Sequence, residues 1–250
     1  MAVDEALAEG VRAGSEPFLR FYLWSPATLS LGRFQNPTDG LSEEALRVPR
    51  VRRMTGGGGI WHANELTYSL GCTQEDLGTL GVKPSFERLC GFLLDTWRRL
   101  GWDADFAKDR IVDATSLGRY APACFAGSEE YDILVAGKKL GGNAQRRDRK
   151  GIFQHGSLPL ELDWAQLRAL FREGYRPDPA LTTDLRSCGW SGSALDLIPL
   201  LADSFQTRMA VEWRESGLSE DESARAATLT QEQFASENWT ENGGGSLRSP

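Results

Sequence analysis

The chain is short of cysteine, has no excess of positive charge and contains no long apolar run, and each shortage removes a class of function. Its four cysteines are Cys72, Cys90, Cys124 and Cys188, and none forms a Cys-x-x-Cys pair. That spacing excludes the common zinc frameworks, so no metal site is expected. Lys and Arg number 28 against 35 Asp and Glu, a net charge of -7. Nucleic-acid binders usually carry a basic face, so no nucleic-acid partner is expected. No apolar stretch reaches the roughly 18 residues that a membrane span needs, so no membrane partner is expected either. Met1 leads into Asp4, Glu5 and Glu9, where a secretory leader would be basic and then apolar. A reducing cytoplasm with free thiols is therefore the expected setting.

What remains is a chain with 40% hydrophobic and 25% charged residues over 250 positions. That composition reads as globular, with length for a sizeable core. No internal repeat or linker divides it. A single domain over residues 1–242 is expected, followed by a disordered tail over 243–250, where Gly243-Gly244-Gly245-Ser246 opens a low-complexity end.

Periodicity predicts a helix over 2–12, with Val3, Ala6, Leu7 and Val11 on one face. Strands are expected at Phe18–Tyr22, Thr28–Gly32, Val51–Met54 and Leu66–Leu70, with a short helix over Leu41–Arg47 that Ser42 would cap. Pro84–Leu100 is the clearest helix, since Phe86, Leu89, Phe92, Leu93, Trp97 and Leu100 recur at helical spacing. A three-strand meander is expected over Tyr131–Ala136, Lys139–Arg147 and Gly151–Leu160, with tight turns at Gly137-Lys138 and Asp148–Gly151. Further helices are expected at Trp164–Phe171, Leu195–Met209 and Thr230–Glu237. Helices and strand pairs alternate without a strict βαβ rhythm, which favours α+β with a mixed or antiparallel sheet and flanking helices.

Two stretches carry chemistry. In the first, Arg52 and Arg53 precede Gly56-Gly57-Gly58-Gly59, and His62 follows. The run lacks the Gly-Lys-Ser/Thr ending of a P-loop, and a strand pattern follows it instead of a helix, so neither a P-loop nor a dinucleotide fingerprint fits. Bare glycines still let a ligand touch backbone N–H groups. In the second, Cys124 sits in an irregular stretch ahead of Lys138 and Lys139. Loops are where catalytic groups are commonly placed, and a nearby ammonium favours a thiolate. Cys90 in the apolar helix and Cys72 read as buried filler. Adjacent strand residues face opposite ways, so only one of Lys138 and Lys139 can enter a site, whereas His155 and Ser157 share a face. The cluster Arg146-Arg147-Asp148-Arg149-Lys150 reads as a solvated hairpin tip, with an acidic carrier protein as its alternative contact.

At these residues the chain resembles the lipoate/octanoate transfer family, whose catalytic domain is shared with biotin-protein ligases. The matching pieces run in order: Met1-Ala2-Val3-Asp4-Glu5-Ala6-Leu7, Arg20-Phe21-Tyr22 with Trp24 to Gly32, Phe34-Gln35-Asn36, Arg52-Arg53 with Thr55-Gly56-Gly57, His62, Glu65-Leu66-Thr67-Tyr68-Ser69, Gly137-Lys138-Lys139 and Gln154-His155-Gly156-Ser157. The resemblance is strong to about residue 165. It implies a biotin/lipoate protein ligase-like fold. Within the family, Cys124-Phe125 resembles the octanoyltransferases that use a cysteine nucleophile, and Lys139 falls on their catalytic lysine. The implied reaction moves octanoyl from acyl carrier protein onto Cys124, then to a lysine of a lipoyl domain such as the glycine-cleavage H protein. A thioester divides one hard transfer into two easier ones. Lys139 would polarise the acyl carbonyl. Backbone at Gly141 and Gly142 would help hold the oxyanion. Arg52, Arg53, Gly56 to Gly59, His62, His155, Gly156 and Ser157 would bind substrate.

The chain departs from that pattern in three ways. It begins inside the Met-Ala-x-Asp-Glu-Ala-Leu helix, where most relatives have a preceding strand. Position 58 is Gly, where these octanoyltransferases often carry Arg, and the glycine run is closer to lipoate ligases. No long accessory domain follows Trp239. The transferase reading needs no cofactor. Its alternative is an ATP-dependent lipoate-protein ligase that needs ATP and Mg, with Gly56 to Gly59 and Arg52 or Arg53 holding the nucleotide phosphates, Lys139 binding the acyl-adenylate and Cys124 incidental. A non-catalytic carrier-binding scaffold and a biotin ligase fit less well. A monomer is the default expectation.

Overall fold

The computed structural model describes residues 1–110, 122–124 and 129–245. In chain order these form α1 (Ala2–Ala13), β1 (Phe18–Tyr22), β2 (Thr28–Leu31), β3 (Arg50–Arg52), β4 (Ile60–His62), β5 (Glu65–Cys72), α2 (Val82–Arg99), β6 (Ala104–Phe106) and α3 (Ala107–Arg110). Then follow β7 (Ile133–Val135), β8 (Lys138–Leu140), β9 (Gly142–Arg147), β10 (Ile152–Pro159), α4 (Trp164–Leu170), β11 (Thr182–Thr183), α5 (Leu197–Met209), α6 (Glu220–Leu229) and α7 (Glu237–Asn242).

Among the described residues the strands make three sheets: β1-β5-β10-β9, β11-β8-β7-β6 and β3-β2-β4. The first is wholly antiparallel; the others each contain one parallel pair, β11 with β8 and β2 with β3. The α+β expectation with mixed and antiparallel sheets is borne out. No described helix is long and apolar enough to cross a membrane.

Helices α2 and α5 cover one face of the first sheet. The apolar face of α2 buries Leu89, Phe92, Leu93 and Trp97, and it packs with Leu66, Tyr68 and Leu70 of β5 and with Leu197, Leu201 and Phe205 of α5. Phe92 meets Tyr68 and Phe205 edge-on at 5.3 and 5.2 Å. Burying a side chain of that size contributes roughly 1.5–3 kcal/mol. The opposite face of the sheet, left free by these helices, is where the polar cavity lies.

Several expected elements differ. Val3 and Leu7 of α1 are only half-buried, while Asp4 and Glu5 point inward. Asp4 is fully buried because Arg20, Tyr22 and Ser69 each donate to it at 2.8 Å. Periodicity of apolar residues does not register such a polar contact face. Residues 41–47 hold only a 3₁₀ turn, Glu44–Leu46. Ser42 caps nothing there; its hydroxyl donates to the Ala169 carbonyl of α4. The expected meander is split: Gly141 at φ 81° interrupts the strand, so β8 pairs with β7 and β9 with β10, in different sheets. The tight turn sits at Ala136-Gly137, one residue earlier than expected, with both residues at positive φ. The expected helix over 230–237 is a π turn, Thr230–Phe234, followed by α7. Gly243–Gly245, placed in the expected disordered tail, forms a 3₁₀ turn; residues 246–250 lie outside the described residues.

Candidate active site

A cavity of about 90 Å³ opens where the glycine loop, Cys124 and the ends of β8, β9 and β10 converge. The glycine loop is shaped by two buried arginines. Arg52 gives its guanidinium to backbone carbonyls: Nη1 to Gly32 and Gln35 at 2.6 and 2.7 Å, and Nε to Trp239 and Thr240 at 3.0 and 2.9 Å. Burial lowers its pKa to about 10. Arg52, expected among the substrate ligands, does not line the cavity; it ties α7 to the core. Arg53 does line it. Its Nη2 donates to the Gly56 and Gly58 carbonyls at 2.8 and 2.7 Å, and its Nη1 to Ser30 Oγ at 3.1 Å. Arg53 therefore clamps the loop from behind, while Gly56, Gly57 and Gly58 face the cavity.

Gly59 does not line the cavity and has a different task. Its N–H donates to the Pro122 carbonyl at 2.6 Å, and its carbonyl accepts from the Cys124 N–H at 3.0 Å. This short parallel bridge hangs the cysteine from the glycine loop. Gln35 adds a bond from Nε2 to the Pro122 carbonyl at 2.9 Å. Cys124 is half-buried and lines the cavity. A Cβ at Gly142 would stand 3.0 Å from Cys124 Sγ, so a bare backbone at that position leaves room for the thiol. Gly141 does not line the cavity; it turns the chain from β8 into β9. Phe125, which the sequence motif included, lies outside the described residues.

Lys138 is exposed and Lys139 buried, as opposite faces of β8 require. Lys139 Nζ donates to the Cys124 carbonyl at 2.8 Å and pairs with Asp132 at 2.6 Å. Burial disfavours its charge, but the Asp132 carboxylate and Cys124 more than offset that and hold its pKa above the usual lysine value. Asp132 was not singled out in the sequence, where nothing separates it from other acidic residues.

The floor is a chain of buried polar groups. His62 Nδ1 lies 2.7 Å from Glu65 Oε1, and its Nε2 lies 2.7 Å from Ser30 Oγ. Thr67 also donates to Glu65 Oε1, at 2.5 Å, and Ser157 donates to Oε2. Burial would raise the Glu65 pKa, yet His62, Ser157 and Thr67 together pull it below the usual value. Trp24 stacks on His62 with ring centroids 4.0 Å apart and 13° between planes. Glu65, Thr67 and Trp24 lay inside family motifs but received no role from sequence.

His155 and Ser157 share the cavity face of β10, and the Gly156 backbone lies between them. His155 Nε2 is 2.6 Å from Thr55 Oγ1. Burial, with Arg53 adding to it, lowers the imidazole pKa from 6.5 to about 3. An unfolded imidazole binds a proton below pH 6.5, whereas the folded one stays neutral until about pH 3. Stability from this group is thus complete above pH 6.5 and drains as pH falls, at ~1.4 kcal/mol per unit. Denaturant unfolding at pH 7 and pH 5 is expected to differ by about 2 kcal/mol. His155→Asn should remove that share of the slope; the buried Met1 amino group, also held below its ordinary 8.0, steepens it in the same direction. Asp4 and Glu65, also held low, begin to lose stability only below their ordinary values of 3.8 and 4.5, outside this window.

At the hairpin tip, Arg146 pairs with Glu5 at 3.1 Å and Arg147 donates to Gln74 at 2.8 Å, so only Arg149 and Lys150 of the basic cluster are exposed.

Known proteins are similar to this chain in sequence and in fold. An octanoyltransferase LipM of an Exiguobacterium species is 40% identical over 171 residues, 65% of this chain and 62% of that protein. The octanoyltransferase LipM of Moorella thermoacetica is 33% identical over 257 residues, covering 96% of this chain and 92% of the relative. Among solved structures, a lipoate-protein ligase A bound with ATP superposes with a TM-score of 0.82 at 21% identity, covering 98% and 93% of the two chains. A bipartite lipoate protein ligase from Thermoplasma acidophilum gives 0.76 at 21% identity, covering 100% and 92%. The family model of the lipoyl protein ligase A/B catalytic domain matches residues 1–188, which take in the glycine loop, Cys124 and Lys139, and the chain belongs to that family.

Proposed function

We propose that this chain is an octanoyltransferase that works through Cys124. Relatives named octanoyltransferase, aligned along nearly the whole chain, support acyl transfer as the class of reaction. The observation that carries the mechanism is the grouping of Cys124, Lys139 and Asp132 along one cavity.

In the first half-reaction the Cys124 thiolate attacks the carbonyl of an octanoyl thioester on acyl carrier protein. A new S–C bond forms, the carrier's sulfur leaves as a thiolate, and that thiolate takes up a proton. Lys139, held as an ammonium by Asp132, supplies positive charge beside Cys124, where negative charge moves during transfer. In the second half-reaction the neutral amine of a lipoyl-domain lysine, such as that of a glycine-cleavage H protein, attacks the acyl-enzyme. An amide N–C bond forms as the S–C bond breaks, Cys124 leaves as a thiolate, and the proton lost by the amine passes to that thiolate or to solvent. Neither step requires ATP or Mg, and a cytoplasmic setting suits both partners.

Mixing the protein with octanoyl carrier protein and no nucleotide should add one octanoyl mass, removable by hydroxylamine. The ATP-dependent ligase reading draws on Gly58. It predicts pyrophosphate release from ATP and lipoate and no acyl-enzyme; that pair of results would overturn the transferase.

A further inference from the structure

Trp24 is a cavity wall on weak backbone support. It lies between β1 and β2, outside regular structure, so no strand ladder holds it. Side-chain contacts do: the Tyr22 ring lies tilted at 6.0 Å, and two others are closer. Its indole Nε1 donates to Thr67 Oγ1 at 2.8 Å, and its ring lies flat on His62 at 4.0 Å. Both supports end on one carboxylate, since Thr67 Oγ1 and His62 Nδ1 meet Glu65 Oε1 at 2.5 and 2.7 Å. Glu65 itself is buried and is steadied by Ser157 on β10.

We propose that Glu65, acting through Thr67 and His62, is a positioning residue that locks Trp24 and so limits the length of acyl chain the cavity accepts. The inference rests on the acyltransferase reading above. A carboxylate suits the task because it only accepts hydrogen bonds, so every donor around it is oriented toward it. Buried networks of this kind rigidify what they touch when all members are satisfied. A fitted apolar wall discriminates against one extra methylene by roughly tenfold or more; a wall free to tilt forfeits part of that discrimination.

The test is a competition between octanoyl and dodecanoyl carrier proteins in one reaction. The product ratio cancels the folded fraction of each variant, so plain destabilisation cannot move it. Thr67→Val cuts the indole's hydrogen bond at nearly constant volume, and Glu65→Gln leaves a side chain that cannot accept from every present donor. Both should raise the dodecanoyl to octanoyl ratio about fivefold or more over the wild type. Variants that lose rate yet keep the wild-type ratio would reject the lock. A second reading is independent of the reaction: the Trp24 indole N–H, followed by NMR, should exchange with solvent faster in Thr67→Val. Unchanged exchange rejects the lock even where the wild type transfers no acyl group, an outcome that would by itself reject only the transferase.

Discussion

Replacing Cys124 with alanine is expected to abolish the acyl-enzyme and to cut octanoyl transfer by roughly 10⁴-fold or more, the scale of losing a covalent nucleophile. The reason is that the remaining cavity can still hold a thioester but has no second thiol to accept it. Cys72 and Cys90 are buried away from the cavity, and burial pushes both thiols up to about 12. Cys188 is not part of the cavity wall either. The substitution should leave the fold intact. Cys124 is half-buried, and its backbone stays bonded to Gly59 whatever the side chain. Intact-mass analysis with octanoyl carrier protein reads the first half-reaction, and amide formation on a lipoyl domain reads the second. Undiminished transfer by Cys124→Ala would end the assignment.

Lys139→Ala is expected to slow transfer by roughly 10²–10⁴-fold, while Lys138→Ala has little effect. The contrast follows from β8, which buries one side chain and exposes the other. A complication is physical and can be separated. Removing Lys139 leaves the Asp132 carboxylate buried without its 2.6 Å partner, which costs roughly 3–5 kcal/mol of stability. Lys139→Ala combined with Asp132→Asn should recover much of that stability and none of the activity. Recovery of both would mean that the lysine serves the fold alone. Loss of activity in Lys138→Ala instead would contradict the burial seen here.

Much of the fold was legible because its longer elements bury apolar side chains at regular spacing. The helix α2 and the strands β1, β2 and β5 could be read within a residue or two. The short strands β4, β6 and β11 and the one-turn α3 were missed, and so was the longer α6, although Ser219 and Glu222 form a capping box at its start. That pattern of a serine three residues before a glutamate was present to be read. It was obscured because α6 buries little beyond Ala226 and Leu229 against α1, leaving a faint apolar stripe. The meander failed for a different reason. Its residues read as one continuous strand, and only the positive φ of Gly141 divides it between two sheets.

The candidate site shows the same division. Motif order along the chain marked Cys124, Lys139, the glycine loop, His62 and the β10 triplet, and strand period alone separated Lys139 from Lys138. These are properties of neighbours in sequence, and a sequence records them directly. What Arg52, Gly59, Asp132 and Glu65 do was decided only by tertiary structure. Arg52 and Arg53 are adjacent, yet one bonds carbonyls near the C-terminal helix and the other bonds the glycine loop. Glu65 gathers donors from β4, β5 and β10, and Asp132 meets a lysine across a hairpin. A buried charged group is placed by whichever partners the packed chain brings within about 3 Å of it. Those partners come from distant segments, so the residue types were visible beforehand and their employment was not.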